Sequence, residues 1–395
     1  MKFSSLVLQG VLLSILSFHF QVLQAQPPKP ETVYRLIYQA KPNEWYQQQA
    51  KLWEAEVKRN PQNPQAWRNY YFATRYAWPS ERTHEAFKAK NEKMEQIIQG
   101  MEKAIPGTYE YYYIKYYHYA PYKKAKIEWL EKAYQLQPEN PETYYSFLTH
   151  YAVTSQTNKF KTFAKKLYES KDIAPALLWY NYNALISCAP NSILFTNGDN
   201  DTYPVWILQQ AKNIRPDVLV LNINLIRGYP EYLKELLATQ NINIDPEQFS
   251  RKNLQTFLNG LIQKILEKSP KTKIYMGLTL NPAVFKNFED KLYLVGLCYQ
   301  YSEEDIDNLA ILKKTITRKL MLDYLRVHWY DENYLANQVV DQINLNYAVI
   351  FMRLADHLAL SGQKDEANYW QNFALYLAKK ADDKNLIKFI ESKNK

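Results

Sequence analysis

One punctuation mark occurs twice in this chain and constrains most of what it can become. Pro61-Gln62-Asn63-Pro64 and Pro138-Glu139-Asn140-Pro141 hold their prolines and asparagine at the same offsets, and an aromatic follows each at the same distance, Trp67 and Tyr144. Proline has no N–H and a fixed φ, so it cannot extend the helix before it, yet it suits the first turn of the helix after it. A third break, Ala104-Ile105-Pro106-Gly107-Thr108, falls between the two. The pattern predicts short helices in consecutive pairs of roughly 32 to 45 residues. Only nine glycines are spread over 395 residues, which also favours helix, because an interior glycine costs about 1 kcal/mol.

The spacing resembles tetratricopeptide repeats, whose unit is a helix pair of about 34 residues. Tyr117, Leu130, Ala133 and Pro138 fall where that repeat places an aromatic or aliphatic, a large apolar residue, a small residue and its closing proline. Near the C-terminus Leu354, Ala355, Leu358, Gly362, Ala367 and Ala374 hold the expected spacings. Tyr347, Phe351, Leu354 and Leu358 give the stripe of an amphipathic helix there.

Thirty-four tyrosines is a large number, and residues 109–122 are the densest run. On one helix Tyr109, Tyr112, Tyr113, Tyr116 and Tyr117 share a core-facing stripe. Tyr111, Tyr119 and Tyr122 are then left outside as a candidate aromatic surface for sugar or peptide, since tyrosine pairs a flat apolar face with a polar rim. Packing between helix pairs accounts for the same run without any ligand.

The middle of the chain changes character. Residues 192–196 are a short apolar run, residues 217–224 are continuous and β-branched, and residues 205–214 between them read as a helix. Strand, crossover helix and strand make a parallel unit. Residues 273–280 and 292–301 supply two more strands, and helices are expected near residues 229–238 and 251–268. The predicted fold is an α/β core of about four mostly parallel strands, flanked by tetratricopeptide-like helix pairs and helix-rich overall. The corresponding domains are a signal peptide at 1–25, helical repeats at 26–175, the α/β core at 176–305 and a C-terminal helical region at 306–395.

The loop after the first strand concentrates the polar chemistry: Asn197, Gly198, Asp199, Asn200, Asp201 and Thr202. It lies at the carboxyl end of a parallel strand, where such sheets bind ligands. Gly198 offers an unusual backbone angle. Asp199 and Asp201 have the spacing of a D-x-D pair, which makes a divalent cation the one cofactor they could hold. Asn222 and Asn224, from the neighbouring strand, are expected beside them. The same residues are also good helix caps and relieve unpaired N–H groups with no ligand at all.

Residues 193–206, with Thr196-Asn197-Gly198-Asp199-Asn200-Asp201-Thr202-Tyr203-Pro204 at their centre, continue into Ile214-Arg215-Pro216-Asp217-Val218. This stretch resembles the soluble extracytoplasmic part of a family of multi-spanning Bacteroidetes membrane proteins, described as of unknown function or as protein O-mannosyltransferase-like. The similarity continues through Leu294-Val295-Gly296-Leu297-Cys298-Tyr299 and the helix pair at 347–367, and so covers roughly residues 180–375. The membrane-embedded region to which glycosyl transfer would belong has no counterpart in these residues. The resemblance therefore implies a shared extracytoplasmic module.

Lys2, an apolar stretch over residues 6–20 and Ala25 read as a secretory signal peptide. No later apolar run approaches the roughly 20 residues a membrane helix needs, so the mature chain is expected to lack a transmembrane segment. The net charge of +9 is dispersed among carboxylates, which argues against nucleic acid. Cys188 and Cys298 read as small buried residues, and no phosphate loop, nucleophile elbow or H-E-x-x-H appears. Together these features predict an exported protein, periplasmic or attached to the cell surface, binding an envelope protein or glycan without catalysis. The alternative is an enzyme or ligand sensor for sugars or sugar phosphates that uses Asp199 and Asp201.

Overall fold

The computed structural model describes residues 29–249, 252–327 and 334–393. The signal-peptide reading of residues 1–25 lies outside them. The first half is helical: α1 (Asn43–Arg59), α2 (Pro64–Tyr76), α3 (His84–Ala104), α4 (Tyr109–Tyr119), α5 (Ile127–Leu136), α6 (Glu142–Val153) and α7 (Thr157–Glu169). Both proline marks act as helix starts. The Asn63 side chain accepts from the amides of Gln65 and Ala66 with Pro64 as the first helical residue, and Asn140 accepts from the amide of Glu142 at 3.1 Å. Helices pack as consecutive pairs, α1 with α2, α4 with α5 and α6 with α7.

Helix α4 corrects the tyrosine assignment. It touches α2, α3 and α5, so it has no single solvent face. Tyr111, expected outside, is buried; its hydroxyl donates to Glu102 at 2.6 Å and accepts from Lys115 at 2.6 Å. Tyr119 is half-buried and donates to Glu95 at 2.5 Å. Tyr112 and Tyr117, expected in the core, are also only half-buried. Tyr122 sits in a short 3-10 turn after α4. Tyr111 and Tyr119 form no shared exposed surface, because both are tied to carboxylates of α3.

Helix α8 (Pro175–Ser187) then leads into the α/β region: β1 (Ile193–Thr196), α9 (Asp199–Lys212), β2 (Leu219–Asn222), α10 (Ile223–Gly228), α11 (Pro230–Ala238), α12 (Leu254–Lys268), β3 (Ile274–Gly277), β4 (Leu292–Leu294) and β5 (Cys298–Tyr301). Five strands form one mixed sheet in the order β2-β1-β3-β5-β4. β1 is parallel to β2 and β3, while β5 is antiparallel to both β3 and β4. The expectation of four mostly parallel strands is thus half right. Residues 292–301 are a hairpin, turned at Val295-Gly296-Leu297. Gly296 permits the turn because a Cβ there would lie 2.4 Å from Ser187 Oγ, the atom that accepts from the Leu297 amide.

The chain closes with α13 (Asn308–Arg318), α14 (Asn337–Leu360), α15 (Lys364–Lys380) and α16 (Lys384–Ser392). Gly362, at φ +76°, makes the turn between α14 and α15. The sheet is buried on both faces. Ile193, Phe195, Leu221, Ile274 and Met276 join the main core with α12 and α14, while Leu194, Val220 and Tyr275 meet Leu185, Val205 and the free cysteines Cys188 and Cys298. Among the described residues no helix is long and apolar enough to cross a membrane.

Candidate ligand site

Of the polar residues singled out after β1, only Asn197 and Gly198 form a loop. Helix α9 starts at Asp199, ahead of Pro204, where a helix would ordinarily begin afresh. A proline at this point removes the N–H that should reach the carbonyl of Asn200. That carbonyl is supplied instead by Asn181 of α8, fully buried, whose Nδ2 donates to it at 2.9 Å. A side chain from a neighbouring helix thus makes the bond proline cannot, and the helix runs through.

Asp201 closes the helix start. Its carboxylate turns back and accepts from the amides of Asn197 and Gly198, both at 2.7 Å, and from the Thr279 hydroxyl. Burial raises its pKa above the ordinary Asp value, and these hydrogen bonds oppose the rise. Around it Thr196 and Thr202 share a hydrogen bond at 2.8 Å, Asn222 Nδ2 donates to Thr202 at 2.9 Å, and Asn224 Nδ2 donates to the carbonyl of Asn197 at 2.8 Å. The Asn222 side chain also caps α10. The crevice between the ends of β1 and β3, where strand order reverses and ligands of such sheets collect, is therefore filled by Asp201 and Thr279. Gly198 is not needed for an unusual angle: its φ is −144°, and a Cβ there would meet nothing within 4 Å.

Asp199 differs. It is exposed, in the first turn of α9, and among the described residues nothing donates a hydrogen bond or forms an ion pair to its carboxylate. The protein crowding it still raises its pKa, while the Arg35 guanidinium pulls the other way. Of the D-x-D pair, then, only Asp199 has free oxygens, and among the described residues no group of three or more His, Cys, Asp or Glu is placed to hold a metal ion.

The comparison with known families bears on this region. Residues 179–243 match the family model described as TMEM260-associated domain 2. The match runs from within α8 through β1, α9 and β2 to beyond α11, and so contains the Asp199 turn; it covers well under half of the chain. It relates this helix-rich region to a TMEM260 family, in keeping with the O-mannosyltransferase-like resemblance of the sequence. A comparison with curated proteins gave no match. Within the TMEM260-related stretch, Arg215 shows why its motif pairs arginine with aspartate. The guanidinium donates to the carbonyls of Leu185, Cys188 and Ala189 at the end of α8 and to Asp217 at 2.9 Å, capping that helix against its dipole.

Sequence reasoning missed Arg35. Residues 31–37 run as an arm before α1, with Val33, Arg35 and Ile37 buried and Tyr34 and Leu36 exposed. Helix α2 holds the arm on both sides of one residue: Asn69 accepts from the Val33 amide at 2.7 Å and Arg68 donates to its carbonyl at 3.2 Å. The alternation of inward and outward residues was the available signal, but Tyr34 and Leu36 are as apolar as the residues facing in.

Proposed function

We propose that this chain is an exported, non-catalytic binding or scaffold protein of a Bacteroidetes-type cell envelope, periplasmic or held at the cell surface, that engages a protein partner through its helix pairs. The observation that carries the reading is an apolar groove of about 660 Å³ between α7, α8 and α9, lined by Leu167, Tyr168, Ile173, Leu178, Trp179 and Ile214. Open apolar surface of this kind marks interaction sites, and half-buried Trp179 is the sort of residue that dominates them. Helix pairs stacked as tetratricopeptide-like repeats suit the role, since neighbouring pairs build one extended face. The test is co-purification from an envelope extract: Trp179→Glu loses the partner that the native chain retains. Equal capture by both proteins overturns the proposal, as does robust turnover of a glycan or phosphorylated substrate that vanishes in Asp199→Ala.

A second reading is a sensor or enzyme for sugars or sugar phosphates, favoured by the open carboxylate of Asp199 at a helix start inside the TMEM260-related stretch. A divalent cation would have Asp199 alone unless Asp201 gave up one of its hydrogen bonds. Melting curves with Mg²⁺, Mn²⁺, Ca²⁺ and glycan fragments test this, because a native-state ligand raises the melting temperature. No shift with any of them removes it.

A further inference from the structure

Arg35 is 3 % exposed, and its Nε and Nη1 are buried without any hydrogen-bond partner. Among the described residues it makes no ion pair. The guanidinium lies over the rings of Tyr117, at 5.4 Å, and Tyr145, at 5.2 Å. Burying a cation unpaired costs several kcal/mol unless something compensates it. Two carboxylates stand near enough to feel its charge, Glu142, paired with Arg68, and Asp172, which accepts the hydroxyls of Tyr38 and Tyr145 on one oxygen at 2.8 and 2.6 Å, but neither accepts a hydrogen bond from Nε or Nη1 of Arg35. Arg75 adds a second positive charge on the ring of Tyr117, at 4.8 Å, and donates to the Tyr71 hydroxyl at 3.3 Å. The Tyr113 hydroxyl, fully buried on α4, is another polar group with no partner.

These groups lead toward Asp199 through two aromatic side chains. The Tyr145 ring meets that of Tyr203 edge-on at 5.0 Å, and Tyr203 stands one turn after Asp199 on the same face of α9. The Tyr203 hydroxyl is fixed by Thr149 at 2.7 Å. Arginine offers donors only, so what completes it must bring acceptors, and an oxyanion does so with charge as well. Tyrosine rings and a free carboxylate suit the apolar faces and hydroxyls of a sugar.

We propose that Arg35 anchors the oxyanion, a carboxylate or a phosphate, of an acidic sugar whose hydroxylated part reaches Asp199 past Tyr145 and Tyr203. The proposal rests on the second reading above and gives it a substrate class. Arg75 supplies field rather than contact, and the helix start contributes through Asp199 alone.

Calorimetry and melting curves on the mature chain test it, with glucuronate, glucose 1-phosphate, glucose and inorganic phosphate as probes. The acidic sugars are expected to bind and glucose to bind at least tenfold more weakly; the stronger of glucuronate and glucose 1-phosphate identifies the oxyanion. Arg35→Met should lower that affinity on the order of tenfold to a hundredfold, the range of a lost charged hydrogen bond, while its free form melts no lower than the native chain. Asp199→Asn should weaken the acidic sugars and leave inorganic phosphate unchanged. Arg35→Lys keeps the charge, so it tests the anchor even if the methionine variant folds poorly, and should retain part of the binding. Glucose binding as well as the acids, with Arg35→Lys and Arg35→Met indifferent, overturns the Arg35 anchor and leaves the second reading standing. Binding of none of the probes removes both. An Arg35→Met chain that melts far below the native one, with Arg35→Lys binding unchanged, makes Arg35 structural and also overturns the proposal.

Discussion

The carboxyl end of the sheet and the interior of the N-terminal helices both bury polar side chains, and they treat them in opposite ways. At the sheet, Asp201, Thr196, Thr202, Asn222 and Thr279 answer one another's hydrogen bonds, and only the side-chain oxygens of Asn181 and Asn200 beside them are buried without a partner among the described residues. Among the helices, Arg35 and the hydroxyls of Tyr70, Tyr113 and Thr74 have buried polar atoms with no partner. Buried polar groups are nearly always satisfied. A carboxylate and hydroxyls that are all answered explain themselves as architecture, whereas a buried cation left unanswered asks for something from outside. The conspicuous motif of the sequence falls mainly in the answered network. The inconspicuous arginine falls in the other.

The sharpest test of this contrast sets the two aspartates side by side. Asp201→Ala orphans two backbone amides and a threonine hydroxyl and should lower stability in urea unfolding by roughly 2 to 4 kcal/mol, a lost cap plus unsatisfied donors. Asp199→Ala should stay within about 0.5 kcal/mol, as at an ordinary exposed position. Equal losses would break the distinction between architecture and opening.

A smaller effect is expected at Asn181. Asn181→Leu leaves the carbonyl of Asn200 bare and should cost about 1 to 3 kcal/mol. Adding Pro204→Ala restores an N–H in the helix, so the pair should lose less than the sum of the single changes in a double-mutant cycle. Strict additivity would mean that the amide of Asn181 does not stand in for the missing bond.

The smallest effect concerns acid. The hydrogen bond from Arg215, followed by that from the Asn191 amide, holds the Asp217 carboxyl down at about 2. A depressed carboxyl pKa stabilises the fold above the unfolded value near 4 and loses that contribution as pH falls through the folded one. Between about pH 4 and pH 2 the melting temperature of the native chain should therefore fall more steeply than that of Asp217→Asn. Parallel curves would show that Arg215 holds the end of α8 through its carbonyls alone.

How much was legible follows from the kind of signal each element gave. The strand cores were readable because β-branched runs bounded by turns have few alternatives. The hairpin at 292–301 was not, because Gly296 turns the chain only by fitting against Ser187, more than a hundred residues away in sequence. Placement of Asn222 and Asn224 beside residues 197–202 followed from parallel strands sharing one end. The role of Asp201 did not, since a capping carboxylate and a ligand carboxylate have the same sequence. Tyr111 was misplaced because a helical stripe reveals one face, and α4 is covered on several.

The amide that Asn181 lends to α9 has a consequence for how the molecule comes together. Left alone, a peptide with the sequence of α9 would leave the carbonyl of Asn200 to water and would start its helix at the proline. The turn from Asp199 to Pro204 is helical only in the company of α8. Its shape is a product of assembly, so whatever Asp199 does, it can do only after α8 has docked.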